Sequence, residues 1–291
     1  MTRTIKPFGY CEAKDINEAM SYLDTHRGVK LIAGGTDLIV QMKKRMKQPT
    51  SLVSIAQTQG LDEINNGGKG LRIGALTTLR SIESSPLVKK HFPILSECVS
   101  QMATTQVRNM ATIGGNICNA SPAADAAVAL LALDAKFHLI SQSGRRIIRA
   151  EDFFLGPGKS ILKPSEILTE IEISNISPKT GGAFIKISRV SNDLAIINVA
   201  TVLSFSGNVC EDAKIALGAV APTPIRAKEA EEALKGRIIS PTVIGTAEDL
   251  AADTITPITD VRGTAEYRRA VSKVIVRRSI ETASYRAGKG G

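Results

Sequence analysis

Two glycine pairs are the places where this sequence could hold chemistry. The first lies in "LIAGGTDL" (31–38), after a short apolar run, and the second in "TIGGNICN" (112–119), 80 residues further on. A Gly-Gly at a strand end can adopt φ > 0 and turns backbone N–H groups outward with no Cβ in the way, which is what a diphosphate requires of a cradle. Thr36 and Thr112 add hydroxyl donors and Asn116 an amide. On this reading both pairs sit at strand ends, bracketed by Thr and Asx, and the amides of Gly34, Gly35, Gly114 and Gly115 bind the oxygens of one pyrophosphate. Two ordinary tight turns are the alternative these residues leave open.

Other chemistries find less support. No G-x-G-x-x-G opens a βαβ unit and no GxxxxGK[ST] is present; "GPGKS" (156–160) ends like a phosphate loop but lacks its first glycine, and reads as a loop. No G-x-S-x-G occurs, and His26, His91 and His138 have no local partner that would mark a triad. The four cysteines, Cys11, Cys98, Cys118 and Cys210, stand 87, 20 and 92 residues apart, so free thiols are expected and a protein-bound zinc site is not. Redox chemistry would have to come from an organic cofactor.

The formal charge of +9 (37 basic minus 28 acidic residues) could suggest nucleic acid, but a chain without Trp and with 4% aromatics lacks the stacking platforms that such modules use. The clusters "KKRMK" (43–47), "GRR" (144–146), "YRR" (267–269) and "VRR" (276–278) read as solvated faces, or as docking points for an acidic partner subunit. "AAVALLALDAKFHLI" is broken by Asp134 and Lys136 before it reaches the roughly 20 apolar residues of a membrane span. With no apolar leader in "MTRTIKPFGY", a cytoplasmic location is expected.

Elements must hold the two pairs in place, and 291 residues suggest about two domains. Asp15 and Glu18 cap an amphipathic helix carrying Ile16, Ala19, Met20 and Leu23. "VKLIA", "SLVSIA" and "GLRIGAL" read as strands, the last two separated by the turn-forming "NNGGKG". Ile94, Leu95, Cys98, Val99 and Met102 share a helical face, and Pro122 could begin an Ala-rich helix. "KFHLI" and "RRII" form a hairpin, "SEILTEIEIS" a strand, and "NISPKTGG" a linker. Beyond it "AFIKISRV", "LAIINVATVLSF" and "DAKIALGAV" suggest a three-stranded antiparallel sheet, followed by helices that end in a long one from about Thr264 to Arg286.

The pairing of "LIAGGTDL" with "QVRNMATIGGNICNASPAAD" resembles the FAD-binding subunit of the molybdenum hydroxylases, the xanthine dehydrogenase and carbon monoxide dehydrogenase family. The similarity runs on through "FFLGPGKSILKPSEILTEIEI", "ALGAVAPTPIRAKEAEEAL" and "DVRGTAEYRRAVSKVIVRRSI", and "GGNICNASPAAD" with "APTPIRAKEAE" looks closest to the separate FAD subunit of bacterial xanthine dehydrogenases. The resemblance implies an α+β protein. Residues 1–176 would form a two-subdomain α/β FAD-binding domain of the PCMH type, with subdomains of about 1–56 and 57–176, and residues 177–291 a three-stranded antiparallel sheet with a helical bundle.

By the same resemblance the FAD diphosphate lies between Lys30, Leu31, Ile32, Ala33, Gly34, Gly35, Thr36 and Asp37 on one side and Thr112, Ile113, Gly114, Gly115 and Asn116 on the other. Asp125, a backbone contact at Leu168, and Lys186 complete the implied set. Asp125 could bond a ribityl or ribose hydroxyl or simply cap the helix near Pro122. Lys186 could stabilise negative charge near the flavin's pyrimidine end or be an exposed strand lysine. Where some relatives place an aromatic over the flavin this chain has Leu194, and it lacks the four-cysteine iron–sulfur insertion of a benzoyl-CoA-reducing relative.

The implied task is electron transfer and not hydroxylation by this chain itself. A large molybdopterin-binding subunit would hydroxylate the substrate with water oxygen, a small subunit with two [2Fe-2S] clusters would pass the electrons on, and FAD here would deliver them to NAD or another acceptor, in a dimer of heterotrimers. Purine (xanthine or hypoxanthine) is the leading substrate, with carbon monoxide, nicotinate, aldehyde or an aromatic heterocycle as alternatives. A stand-alone flavin dehydrogenase would need a substrate domain with charged or aromatic site residues, which 183–291 does not offer, and intact glycine loops argue against a docking module that has lost its flavin.

Overall fold

The computed structural model describes residues 4–68 and 70–289. Part of the turn expected over 65–70 therefore lies outside the described residues, at Lys69.

The chain begins with β1 (Gly9–Glu12), α1 (Ile16–Thr25), β2 (Val29–Ile32), α2 (Leu38–Lys43) and β3 (Ser51–Ser54), whose strands form a parallel sheet in the order β1-β3-β2. The Asp15 carboxylate accepts from the N–H groups of Asn17 and Glu18 at 2.8 and 2.9 Å, while Glu18 Oε2 accepts from the Lys14 N–H, so the start of α1 is satisfied reciprocally. Ala19, Met20 and Leu23 of α1 then pack with Val53 of the central strand. The first glycine pair leaves the C-terminal end of β2, the edge of a parallel sheet where ligands bind in α/β proteins.

Next come β4 (Ile64–Asn66), β5 (Gly70–Gly74), α3 (Leu79–Ser84), α4 (Pro86–His91), α5 (Pro93–Ser100), α6 (Thr105–Met110), α7 (Ile113–Asn119), α8 (Asp125–Ala132), β6 (Lys136–Ser141), β7 (Gly144–Arg149), β8 (Phe154–Gly156), β9 (Lys159–Ser160) and β10 (Ile167–Ser174). Five of these strands make an antiparallel sheet in the order β4-β5-β10-β6-β7, while β8 and β9 pair only with each other. The run of short helices is written in their caps: Thr78, Ser85, Thr104 and Thr112 each accept a backbone N–H at a helix start, and Pro86 and Pro93 occupy first turns. The second glycine pair lies inside α7, and not at a strand end as its sequence suggests. The Ala-rich helix α8 starts at Asp125; Pro122 precedes it and accepts the Ala219 N–H at 2.8 Å.

The last segment comprises β11 (Thr180–Ile187), β12 (Ile197–Ser206), β13 (Val209–Gly218), β14 (Ile225–Arg226), α9 (Lys228–Leu234), β15 (Arg237–Ile238), α10 (Pro241–Thr254) and α11 (Ala265–Lys289). The three long antiparallel strands match the expected sheet, and the two-residue strands β14 and β15 border β13. Both faces of this sheet are covered. Ala183, Val199 and Ile215 pack under α9, α10 and α11, whereas Phe184, Ala200, Val202 and Ala216 join the core of α5 and α8. All eight residues of α8 are buried. Its alanines let sheet and helices close in, and Leu130 and Leu131 each contribute about 1.5–3 kcal/mol by burial.

Candidate cofactor site

A cavity of about 600 Å³ opens where the end of β2 meets α7 and the start of β10. Every first-loop position from Lys30 to Asp37 lines it, as do Thr112, Gly114, Gly115, Asn116 and Leu168. Ile113, Asp125 and Lys186 do not. Ile113 is fully buried in the core.

The two loops contribute in different ways. Among the described residues, none of the backbone N–H groups of 34–38 meets an acceptor, and Asp37 makes no side-chain cap on α2. Five successive unpaired amides form the kind of concavity that binds an anion. Gly35 is left-handed at φ +68°, which permits the turn. Gly34 has no such φ; what excludes a side chain there is the backbone of Met110, whose carbonyl oxygen a Cβ would meet at 1.7 Å.

In the second loop the amides are already spent. Ile113 N–H donates to Thr77 O (3.0 Å), Gly114 N–H to Ala75 O (2.9 Å), Gly115 N–H to Thr112 Oγ1 (3.1 Å) and Asn116 N–H to Thr112 O (3.0 Å). The expectation that Gly114 and Gly115 offer amides to a diphosphate therefore fails. Gly114 is needed because a Cβ would sit 2.7 Å from Ala75 Cβ and O, which keeps α7 tight against the end of β5. This loop instead offers side chains. Asn116 Oδ1 is buried without a donor, as is Gln41 Oε1, whose amide nitrogen donates to Asn119 Oδ1 at 2.9 Å. Both residues line the cavity, and orphaned acceptors there call for the hydroxyl groups of a ligand.

Lys30, Lys47, Lys159 and Lys163 line the cavity against only two carboxylates, Asp37 and Glu166. Burial pushes the Asp37 carboxyl up, opposed by Lys47, and burial together with the charge of Lys30 pushes the Lys47 ammonium down. Glu166 is committed elsewhere: Arg146 Nε and Nη2 donate to it, both at 2.7 Å, and the Lys163 N–H at 2.8 Å. The Arg146 bonds hold its carboxyl below the ordinary 4.5. A depressed folded-state pKa stabilises above 4.5 and ceases to do so as the pH falls through the folded value. Acidification below 4.5 is therefore expected to lower the melting temperature of the wild type more steeply than that of Arg146→Met; parallel curves would exclude this anchor. Cys118, also in the wall, is a thiol pushed up to about 12 by burial, which leaves it without nucleophilic character at neutral pH.

Asp125 and Lys186 find each other away from the cavity. Lys186 Nζ donates to Asp125 Oδ2 at 2.7 Å and to Gln101 O at 3.1 Å, and Asn198 Nδ2 donates to Asp125 Oδ1. The side chain of Lys186 is 4% exposed and that of Asp125 6%. Asp125 makes no cap bond, since α8 lacks a side-chain cap, and Lys186 is not an exposed strand lysine. Burial raises the Asp125 carboxyl, with Lys186 and Asn198 pulling the other way. The pair ties α8 to the last sheet. Leu194 is 59% exposed.

Folding also gives one histidine the carboxylates that sequence spacing did not show. His138 Nε2 lies 3.0 Å from Glu172 and 3.7 Å from Glu170, but Arg72 and Lys136 pair with the same two carboxylates, so the cluster is already neutralised.

Residues 6–175 match the family described as the FAD binding domain in molybdopterin dehydrogenase, and residues 182–283 the CO dehydrogenase flavoprotein C-terminal domain. The carbon monoxide dehydrogenase medium chain of Hydrogenophaga pseudoflava is 35% identical over 277 residues, 95% of this chain and 96% of that one. The chain belongs to the FAD-binding medium subunits of the molybdenum hydroxylases. A solved structure of the H. pseudoflava enzyme, in a form lacking the Mo-pyranopterin moiety of its molybdenum cofactor, superposes with a TM-score of 0.95 at 35% identity, over 97% of this chain and 99% of that chain. A xanthine dehydrogenase FAD-binding subunit of Escherichia coli is 30% identical over 285 residues, 96% of this chain and 97% of its own.

The cavity of this FAD domain fits its cofactor. Five open amides suit a diphosphate, the orphaned oxygens of Asn116 and Gln41 suit ribose or ribityl hydroxyls, and Leu31, Ile32, Ile55, Leu76, Leu162 and Ile167 give an apolar wall for a ring. Gln41, Lys47, Lys159 and Lys163 escaped sequence reasoning. For Lys159 a signal existed in "GPGKS".

Proposed function

We propose that this chain holds FAD between its two glycine-bearing segments as the electron-transfer subunit of a molybdenum hydroxylase with a large molybdopterin subunit and a small [2Fe-2S] subunit. The observation that carries the reading is the run of unpaired amides at 34–38 in the wall of a cavity that Asn116 and Gln41, each with an orphaned side-chain oxygen, also line. When bound, FAD supplies the capacity to accept electrons from one partner and release them to another. The chain's own residues bind and orient it: the 34–38 amides hold the diphosphate without a metal, Asn116 and Gln41 accept from hydroxyls, and the aliphatic wall excludes water. Ile113, Asp125 and Lys186 act indirectly, by fixing α7 and α8.

Purified with its partners, the protein is expected to be yellow, with flavin absorption bands, and to co-elute with a large and a small subunit. A colourless chain that still elutes alone after incubation with FAD would defeat the proposal.

The overall reaction we propose is purine hydroxylation with NAD as acceptor, in a dimer of heterotrimers in the cytoplasm. The support is the resemblance of "GGNICNASPAAD" to bacterial xanthine dehydrogenases together with the E. coli relative. Among the described residues no helix is long and apolar enough to cross a membrane. Xanthine should bleach the flavin of the complex and NAD restore its colour; bleaching by carbon monoxide alone would move the assignment to that branch, to which the H. pseudoflava relative belongs.

A further inference from the structure

Leu155, Gly158, Lys159 and Ser160 of the hairpin β8–β9 all line the cavity. Its turn is Pro157-Gly158, with Gly158 at φ +67°: proline pre-sets the first position and glycine supplies the left-handed second, as a type II turn requires. The hairpin belongs to none of the larger sheets, so its place is set by its two ends. At the base, Phe154 is buried in the main core with its ring edge-on to Phe153, centroids 5.2 Å apart. At the tip, the Gly158 N–H donates at 2.9 Å to Ala120 O, the left-handed residue that ends α7. The backbone of Lys159 is thereby fixed to the helix that carries Gly114, Gly115 and Asn116. Its ammonium meets no carboxylate among the described residues.

This placement answers a shortage in the site. The amides of 113–116 are consumed within the protein, so the second loop brings no backbone donor to the diphosphate. An ammonium is a compact charge well suited to phosphate oxygens. We propose that Lys159 is a third limb of the cradle, binding a phosphate oxygen of the dinucleotide from the hairpin. The inference rests on the reading of this cavity as the FAD site and adds to it a residue outside both glycine loops.

Full-length protein stripped of flavin, titrated with FAD and with ADP, tests it. Wild type should bind both; Lys159→Ala and Lys159→Gln should bind both roughly tenfold more weakly, and Lys159→Arg should recover most of the loss. Raised salt should narrow the gap between wild type and Lys159→Ala. Unchanged affinity in the Ala and Gln variants would overturn the inference, and so would a drop in the melting temperature of unliganded Lys159→Ala that accounts for the lost affinity. Failure of wild type to bind FAD would instead overturn the reading of the cavity.

Discussion

Gly34→Ala is expected to leave the purified protein without flavin, and to do so through the backbone before any ligand is met. The added Cβ would lie 1.7 Å from the Met110 carbonyl oxygen and 2.6 Å from its carbon. Neither atom can rotate aside, so the first loop must separate from the end of α6. That segment leads directly into Thr112 and α7, and the two sides of the cavity would part together. Overpacking of this kind costs about 1–3 kcal/mol and more where backbone is struck, so both a fall in melting temperature and loss of the cofactor are expected. Gly115→Ala supplies the contrast. Its Cβ would meet only Thr112 Oγ1, at 2.9 Å, on an exposed helical residue, and should cost far less. The ratio of flavin to polypeptide in the two variants decides the matter; a fully flavinated Gly34→Ala protein with wild-type melting would refute the packing argument.

Lys186→Met is expected to destabilise the fold by about 3–5 kcal/mol, because it leaves the Asp125 carboxylate buried without its counter-charge. Asp125 is buried at 5% exposure, and among the described residues Asn198 would be the side-chain donor left to it. The double variant Asp125→Leu/Lys186→Met removes both charges and should recover most of the loss. Urea unfolding of the two singles and the double yields the coupling. Strictly additive costs would show that the pair does not act as a unit.

Much of the scaffold could be read from side-chain periodicity and turn residues. The capping carboxylates of α1, the alternation of β10 and the three aliphatic strands β11, β12 and β13 each signal one structure locally. The second glycine pair misled because Gly-Gly is the same dipeptide in a turn and in a helix; Thr112 three residues before Gly115 was the cue for a helix start, as the cap bond between them shows. The cavity as a whole was partly legible. The first loop, Thr112, Asn116 and Leu168 line it, but Gln41, Lys47 and Lys163 enter only because α2, the segment after it and the approach to β10 fold back over the same space. Asp125 and Lys186 stand 61 residues apart, and nothing local in either stretch reveals that a helix terminus and a strand will place them 2.7 Å from each other.

The covering of the last sheet on both faces bears on how this polypeptide can be divided. A cut in the connection between β10 and β11 would lay bare Phe184, Ala200, Val202 and Ala216 on one fragment and the Ala-rich flank of α8 on the other, each of them a surface prone to self-association. The half that grips the nucleotide and the half that follows it are each other's shelter from water, so their coexistence in one gene product is a condition of solubility for both.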